Sequence, residues 1–175
     1  EHNSVFDQMT ASRTVSVNLS DHNSPGSGPV EAISGSYVSH ELFSMLDGRA
    51  SIGRVFSAED NLSTDEKPLV LSDRLWQRRF GGNPGVIGRR VKLNDSDFTV
   101  IGVMPPAFQY PCGSAFWAPI STTERADVLA DPSANLYQIL AVKRPGVTVE
   151  RASNEIADLA RPSQHLVTAN TGEMA

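Results

Sequence analysis

The histidines, the cysteine and the serines are the residues of this sequence whose types could do chemistry. It contains four histidines and one cysteine, and they do not have the spacing of a zinc site or of an HExxH motif. Serine is frequent but never occurs in a GxSxG or SxxK context, so a hydrolase would lack its nucleophile. The GxxxxGKS/T pattern of a phosphate-binding loop is also missing. The sequence therefore predicts no enzyme, no metal and no cofactor; the residues concerned are His2, His22, His40, His165 and Cys112.

Two carboxylate pairs and one basic cluster are the remaining candidates. Glu59–Asp60 and Asp65–Glu66 would suit an acid–base pair or calcium ligands, but the EF-hand pattern is missing, and we interpret both as charged loop faces. The basic cluster would suit an acidic partner subunit or a lipid headgroup. A solvated face that balances neighbouring acids is the interpretation that we favour. The members of the cluster are Arg74, Arg78, Arg79, Arg89, Arg90 and Lys92.

Composition limits the class of protein and its partners. The formal net charge of −5 at pH 7 disfavours nucleic acid and anionic membrane surfaces, and the basic cluster has no aromatic residues at stacking positions. A chain of 175 residues suits one domain or two small lobes. A single cysteine allows no intramolecular disulfide, and no apolar run of about 18 residues or signal peptide is recognisable.

The core is expected to form around residues 71–106. The apolar run before it ends at Ser72, a good helix N-cap, and the following helix places Leu75, Trp76 and Phe80 on adjoining turns. Gly81–Gly82 ends this helix by supplying positive φ angles.

A β-hairpin follows that helix. Residues 90–93 and 98–103 alternate as two strands around a turn at residues 94–96. We expect Trp76 to be buried beneath this hairpin. Gly102 lies in the middle of the second strand, where glycine indicates either a bulge or the close approach of another backbone.

The flanking regions alternate between strands and helices. Ser39 is expected to cap a short helix and Thr148 a longer one that ends before Pro162. We predict a helical turn at residues 4–9 and strands at 14–19, 30–38, 116–120 and 136–143. A loop is expected at 21–29, a short helix with a connection at 122–134, and a frayed tail at 163–175.

A set of residues in fixed order carries a further signal. It comprises residues 70–72, 75–82, 88, 93–94, 98–106 and 108, with 38–39, 43, 46 and 53–56 upstream and 117–120 and 142–147 downstream. Over about residues 30–159 this set resembles the MacB-like periplasmic core domain of ABC-transporter permeases. The run LWQRRFGG at residues 75–82 looks closest to the duplicated orphan permeases. The family usually has glycine and valine at the positions of Asp47 and Gly48, where this chain departs from it.

The resemblance implies an α+β fold of two lobes. A porter-like β-α-β lobe would comprise residues 1–37 and 122–175, and a small β-rich lobe, called Sabre-like, would be inserted as residues 38–121. The chain would cross between the lobes near Gly35–Ser36 and again near Ser121–Thr122, where small or polar residues suit a hinge.

The resemblance also implies a function. It predicts a non-catalytic extracytoplasmic domain that couples ATP-driven motion to transport or efflux across the inner (cytoplasmic) membrane. The implied partners are the transmembrane helices of the permease, an ABC ATPase subunit, a second permease copy and periplasmic partner proteins. The alternative is a periplasmic module that captures a peptide, lipid or sugar between the lobes, and a pocket lined by Tyr110, Phe116 and Trp117 would favour it.

Overall fold

The computed structural model describes residues 5–21, 30–61, 67–122 and 137–160. These residues form eight strands and three α-helices, which confirms the predicted α+β class. The helices are α1 (Glu41–Met45), α2 (Asp73–Phe80) and α3 (Val149–Ala160). The strands are β1 (Phe6–Asp21), β2 (Glu31–Val38), β3 (Ile52–Gly53), β4 (Pro68–Leu71), β5 (Arg90–Leu93), β6 (Ser96–Val103), β7 (Phe116–Pro119) and β8 (Gln138–Lys143).

Six of the strands close into a barrel. The pairing runs β1–β2–β7–β4–β6–β5 and returns to β1, while β3 pairs with β6 and β8 with β1. Inward-facing side chains of these strands and of α2 form the barrel core, in which Leu69, Val91, Val100 and Phe116 are fully buried. Closure gives each barrel strand a partner on both sides over at least part of its length.

β1 begins earlier than the sequence indicated. Residues 5–9 are not a helical turn, because β1 starts at Phe6 and pairs there with β8, with Met9 opposite Ala141. The spacing of Val5, Phe6 and Met9 is compatible with a helical period. The pairing partner lies more than 130 residues away along the chain, and such a tertiary contact overrides a local pattern.

The central helix and hairpin form as predicted. The Ser72 hydroxyl accepts a hydrogen bond from the Leu75 N–H at 3.2 Å, and Gly81 ends α2 with a φ of 62°. Trp76 is 9% exposed within the barrel core, and its indole N–H donates to the Asn83 carbonyl at 2.9 Å. The burial of Trp76 is therefore confirmed.

Gly102 lies at a close approach of two backbones. A Cβ atom at this position would lie 2.1 Å from the carbonyl oxygen of Arg54, which follows β3 directly. The register between β4 and β6 also shifts at this point, since Leu69 pairs with Val100 and Val70 pairs with Gly102. Both features that the mid-strand glycine indicated, a bulge and a close approach, are present.

α1 covers the outside of the barrel wall. Leu42 and Phe43 of this helix pack on the outward faces of Val70 and Trp117 in a second cluster, the outer core. Asp47, where the family usually has glycine, adopts a left-handed φ of 49°, so the loop after α1 has a conformation that glycine would favour.

The prediction that Ser39 caps α1 is wrong. The N-cap of α1 is His40, which makes no capping hydrogen bond through its side chain. The hydroxyl of Ser39 instead accepts the Ala11 N–H of β1 at 2.8 Å. A backbone donor from a distant strand has therefore replaced the local donor that a capping serine usually binds.

β8 and α3 form a smaller region beside the barrel. The Thr148 hydroxyl accepts the Arg151 N–H at 3.3 Å, so Thr148 caps α3 as predicted. α3 packs through Ala152 against Val5 and Phe6 in a third cluster, the α3 core. Most of the predicted connection (123–134) and the tail (163–175) lie outside the described residues. The division into lobes stays a prediction.

Candidate functional site

The three aromatic residues proposed for a ligand pocket do not come together in one. Phe116 and Trp117 are neighbours on β7, so their side chains point to opposite faces of the wall, into the barrel core and the outer core respectively. Both are fully buried. The Tyr110 carbonyl accepts the Trp117 indole N–H at 2.9 Å, which ties the loop before β7 to the outer core. In the described part of the structure, these three residues contribute to the packing of the two cores.

The basic cluster is divided among several contacts. Arg78 and Arg79 both form ion pairs with Glu31 of β2, and Arg89 lies over the ring of Phe80 with 5.4 Å from its guanidinium carbon to the ring centroid. Arg74 is exposed at the first turn of α2. Half of the cluster therefore stabilises the fold, in keeping with a face that balances neighbouring acids.

The carboxylate pair Glu59–Asp60 stands in a short 3-10 helix, where Asp60 forms a bidentate ion pair. Two guanidinium nitrogens of Arg54 lie 2.7 and 2.8 Å from the Asp60 carboxylate, and the Ser57 N–H donates to it at 2.6 Å. The hydrogen bond from Arg54 is the main reason that the pKa of Asp60 lies below its ordinary value. This geometry anchors a loop and engages both carboxylate oxygens of Asp60 in hydrogen bonds.

No metal centre is assembled from the described residues. Nowhere in the described ranges do three His, Cys, Asp or Glu side chains cluster as metal ligands would. The Nδ1 of His40 lies 3.2 Å from the Glu41 carboxylate, and Cys112 is exposed. The other histidines (His2, His22 and His165) and the pair Asp65–Glu66 fall outside the described ranges.

A junction between the barrel and the β8–α3 region is the first candidate site. It consists of Thr10 and Ala11 on β1 and of Ser39 between β2 and α1. The hydroxyl oxygens of Thr10 and Ser39 lie 2.9 Å apart, and the Ser39 N–H donates to the Ala11 carbonyl at 3.0 Å. On its other edge the same stretch of β1 pairs with β8. These contacts therefore lie where the part of β1 that pairs with β8 meets the barrel.

A groove beside β2 is the second candidate site. Its cavity has a volume of about 490 Å³ and lies between the first half of β2, the first turn of α2 and the loop before β7. No local pattern in the amino-acid sequence indicates either site. The junction depends on a serine that has the sequence context of a helix cap, and the groove depends on where β7 begins.

The fold is that of the extracytoplasmic domains of ABC-type permeases. The periplasmic region of MacB from Actinobacillus actinomycetemcomitans superimposes with a TM-score of 0.64 at 20% identity, covering 91% of this chain and 68% of that one. The extracellular domain of the noncanonic ABC-type transporter YknZ from Gram-positive bacteria gives 0.58 at 18% identity, covering 90% and 70%. A domain described as part of a permease from Porphyromonas gingivalis gives 0.63 at 17% identity, covering 91% and 71%.

The sequence itself identifies the family. The family model of the MacB-like periplasmic core domain matches residues 4–159, so the chain belongs to this family, whose members are extracytoplasmic parts of ABC-transporter permeases. No curated protein sequence matches the chain significantly. None of the helices within the described ranges is long and apolar enough to cross a membrane. The closer resemblance to the duplicated orphan permeases stays a prediction.

Proposed function

We propose that this domain couples movements of the permease to transport across the membrane and carries out no catalysis itself. The observation that carries this proposal is the continuity of β1. This 16-residue strand is about 50 Å long, pairs with β8 in its first half and belongs to the barrel in its second half. A single strand shared by two regions passes a displacement of one to the other.

The proposed partners follow from the family. They are the transmembrane helices of the permease, an ABC ATPase on the other side of the inner membrane, a second permease copy and periplasmic proteins. The domain would lie on the extracytoplasmic side. No nucleic acid is among the proposed partners, because half of the basic cluster is engaged with Glu31 and Phe80 and the net charge of the chain is −5.

The resemblance divides the chain into residues 38–121 and the flanking 1–37 and 122–175. Because β2 and the second half of β1 close the barrel, we propose that they move together with residues 38–121. The sheet supports a modified position for one hinge. Gly35 and Ser36 lie inside β2, and a Cβ at Gly35 would lie 2.2 Å from the Phe116 ring, so packing accounts for this glycine. The junction of Thr10, Ala11 and Ser39 is where we propose that the lobes move apart. The hinge near Ser121–Thr122 stays as proposed.

A disulfide across the junction tests the coupling. Thr10→Cys with Ser39→Cys in the full permease would join the two regions, because the hydroxyl oxygens that the sulfurs replace lie 2.9 Å apart. The exposed Cys112 is first changed to serine to prevent wrong pairing. We expect at least a tenfold fall in transport on oxidation and full recovery on reduction, measured in membrane vesicles.

A second disulfide provides the matched control. Ser16 and Ser34 are directly opposite each other on β1 and β2, with hydroxyl oxygens 3.4 Å apart, but both belong to the same proposed lobe. Ser16→Cys with Ser34→Cys should leave transport unchanged. Full transport by the oxidised Thr10–Ser39 variant would refute the proposal and leave the domain as a static docking platform.

A further inference from the structure

The first half of β2 presents an unpaired edge to the groove. β2 pairs with β1 over its whole length, but β7 pairs with it only from Ser36 to Val38. One further hydrogen bond joins the Ala115 N–H to the Ser34 carbonyl at 2.8 Å. Within the described part of the chain, no strand lies beside residues 30–33 on this edge.

The register shows which backbone groups point into the groove. In an antiparallel pair, alternate residues direct both the N–H and the C=O away from the partner strand. The Ser34 carbonyl points away from β1, because it accepts the Ala115 N–H. On β1, Asn18 lies opposite Ala32. Both the N–H and the C=O of Asn18 bond to Asn94, which lies on the side of β1 away from β2. The pair Asn18–Ala32 is therefore of the non-hydrogen-bonded kind. It follows that the N–H and C=O of Ala32 and the N–H of Ser34 point towards the groove.

The surroundings of this edge suit a polypeptide. The cavity of about 490 Å³ lies within the range of binding pockets, and it opens where a strand continuing β7 backwards from Ala115 would lie. Its apolar walls include Leu75, Pro105 and Phe108. Two acids and two bases line the groove: Glu31 pairs with Arg78, and Asp73 stands next to Arg74 at the rim. The lining therefore has no excess charge to select a phosphate or a lipid headgroup.

We propose that this groove binds an extended segment of a partner protein, which adds a strand to β2 beside residues 30–34. Backbone N–H and C=O groups in strand spacing are complementary to another extended backbone, and side-chain pockets along such an edge provide selectivity. The exposed Val30 (65% exposed) would be covered by the same segment. The proposal concerns a binding surface and does not depend on the coupling of lobes.

Amide hydrogen exchange in the free protein tests the open edge. The Ala32 N–H should exchange at least a hundredfold faster than that of the adjacent Ile33, which lies in a hydrogen-bonded pair with β1. Equal protection of the two amides would show that the edge is already covered and would overturn the proposal.

A random library of displayed eight-residue peptides tests binding, with the selected peptides then synthesised. Ala32→Pro removes the donor that faces the groove and no hydrogen bond to β1, and proline is tolerated at an open edge. We expect it to weaken peptide binding at least tenfold. Ser16→Pro is the matched control. The Ser16 N–H also points away from its partner strand, here β2, but it does not face the groove, so peptide binding should persist.

A second variant tests the groove independently, in case Ala32→Pro disturbs the fold of β2. Gln109→Trp would fill the groove from the loop side and leave β2 unaltered. It should also weaken binding at least tenfold. The proposal fails if the library yields no binder, or if the selected peptides bind Ala32→Pro and Gln109→Trp as well as the original chain.

Discussion

The barrel and the β8–α3 region differ in how completely they bury their apolar side chains. In the barrel, β4 and β7 are buried at every residue, and their side chains fill the barrel core on one face and the outer core on the other. β8 has no buried residue, and its Ile139 and Val142 are 44% and 45% exposed. Among the residues whose burial is described, the α3 core has three buried members, Val5, Phe6 and Ala152, with partly buried side chains around them.

The difference has a physical origin in the pairing of strands. Each barrel strand has a neighbour on both sides over at least part of its length, and β4 and β7 are covered on both faces, so folding removes most of the apolar area of β4 and β7 from water. β8 has one strand partner among the described residues, and α3 covers one face. The barrel is therefore expected to be stable by itself, while the β8–α3 region depends on further contacts. Regions of low local stability are the ones that move in conformational transitions.

The largest effect should come from removing a ring shared by the barrel wall and α1. Trp117→Ala deletes a fully buried indole that packs against Phe43 and Phe108, and it should cost about 3–5 kcal/mol of unfolding free energy. Val142→Ala on β8 is the control and should cost less than about 1 kcal/mol. Denaturant midpoints measure both. A loss below about 1 kcal/mol in Trp117→Ala would show that the barrel does not carry the stability.

The next effect tests the backbone contact between Gly102 on β6 and Arg54, the residue after β3. Gly102→Val places a side chain against the Arg54 carbonyl and should destabilise the protein by about 2–4 kcal/mol, whereas Thr99→Val on the same strand should change the unfolding free energy by less than about 1 kcal/mol. Thermal unfolding of the two variants decides the order. If Thr99→Val proves the more damaging, β3 and β6 are not in close contact.

A smaller effect on the whole protein is expected from the α3 core. Phe6→Ala should release α3 and raise the amide exchange rates of α3 and β8, while lowering the unfolding free energy of the barrel by less than about 1 kcal/mol. Residue-resolved hydrogen exchange measures the two regions separately. Equal acceleration in the barrel amides would show that both regions unfold as one unit and would remove the contrast between them.

The smallest effect is a dependence on pH. The pKa of Asp60 is lowered in the folded state, so its ion pair with Arg54 stabilises the protein above the ordinary carboxyl value of 3.8 and is lost as the pH falls through and below that value. Arg54 is largely exposed, so the contribution should be about 0.5–1 kcal/mol. Asp60→Asn should show less loss of stability between pH 5 and pH 3 than the unaltered chain. An identical loss would mean that other carboxylates cause it.

Much of the central stretch was predictable from the sequence because its signals are local. Ser72 and Gly81 limit α2, the turn at Asn94 joins β5 to β6, and the burial of Trp76 follows from the helical period. These features depend on residues within a few positions of one another. The order along the sequence of the residues that match the MacB-like periplasmic core domain also indicated the family.

The tertiary structure alone decided the two candidate sites. Ser39 has the sequence context of a helix cap, but the arrival of β1 beside it gives its hydroxyl the Ala11 N–H instead. The groove exists because β7 begins only at Phe116, opposite the second half of β2, while β2 already begins at Glu31. No signal near Ala32 reveals where a strand some 80 residues further along the chain begins. Strand pairing joins distant segments at a cost in chain entropy that only the assembled core repays, so a local pattern cannot specify it.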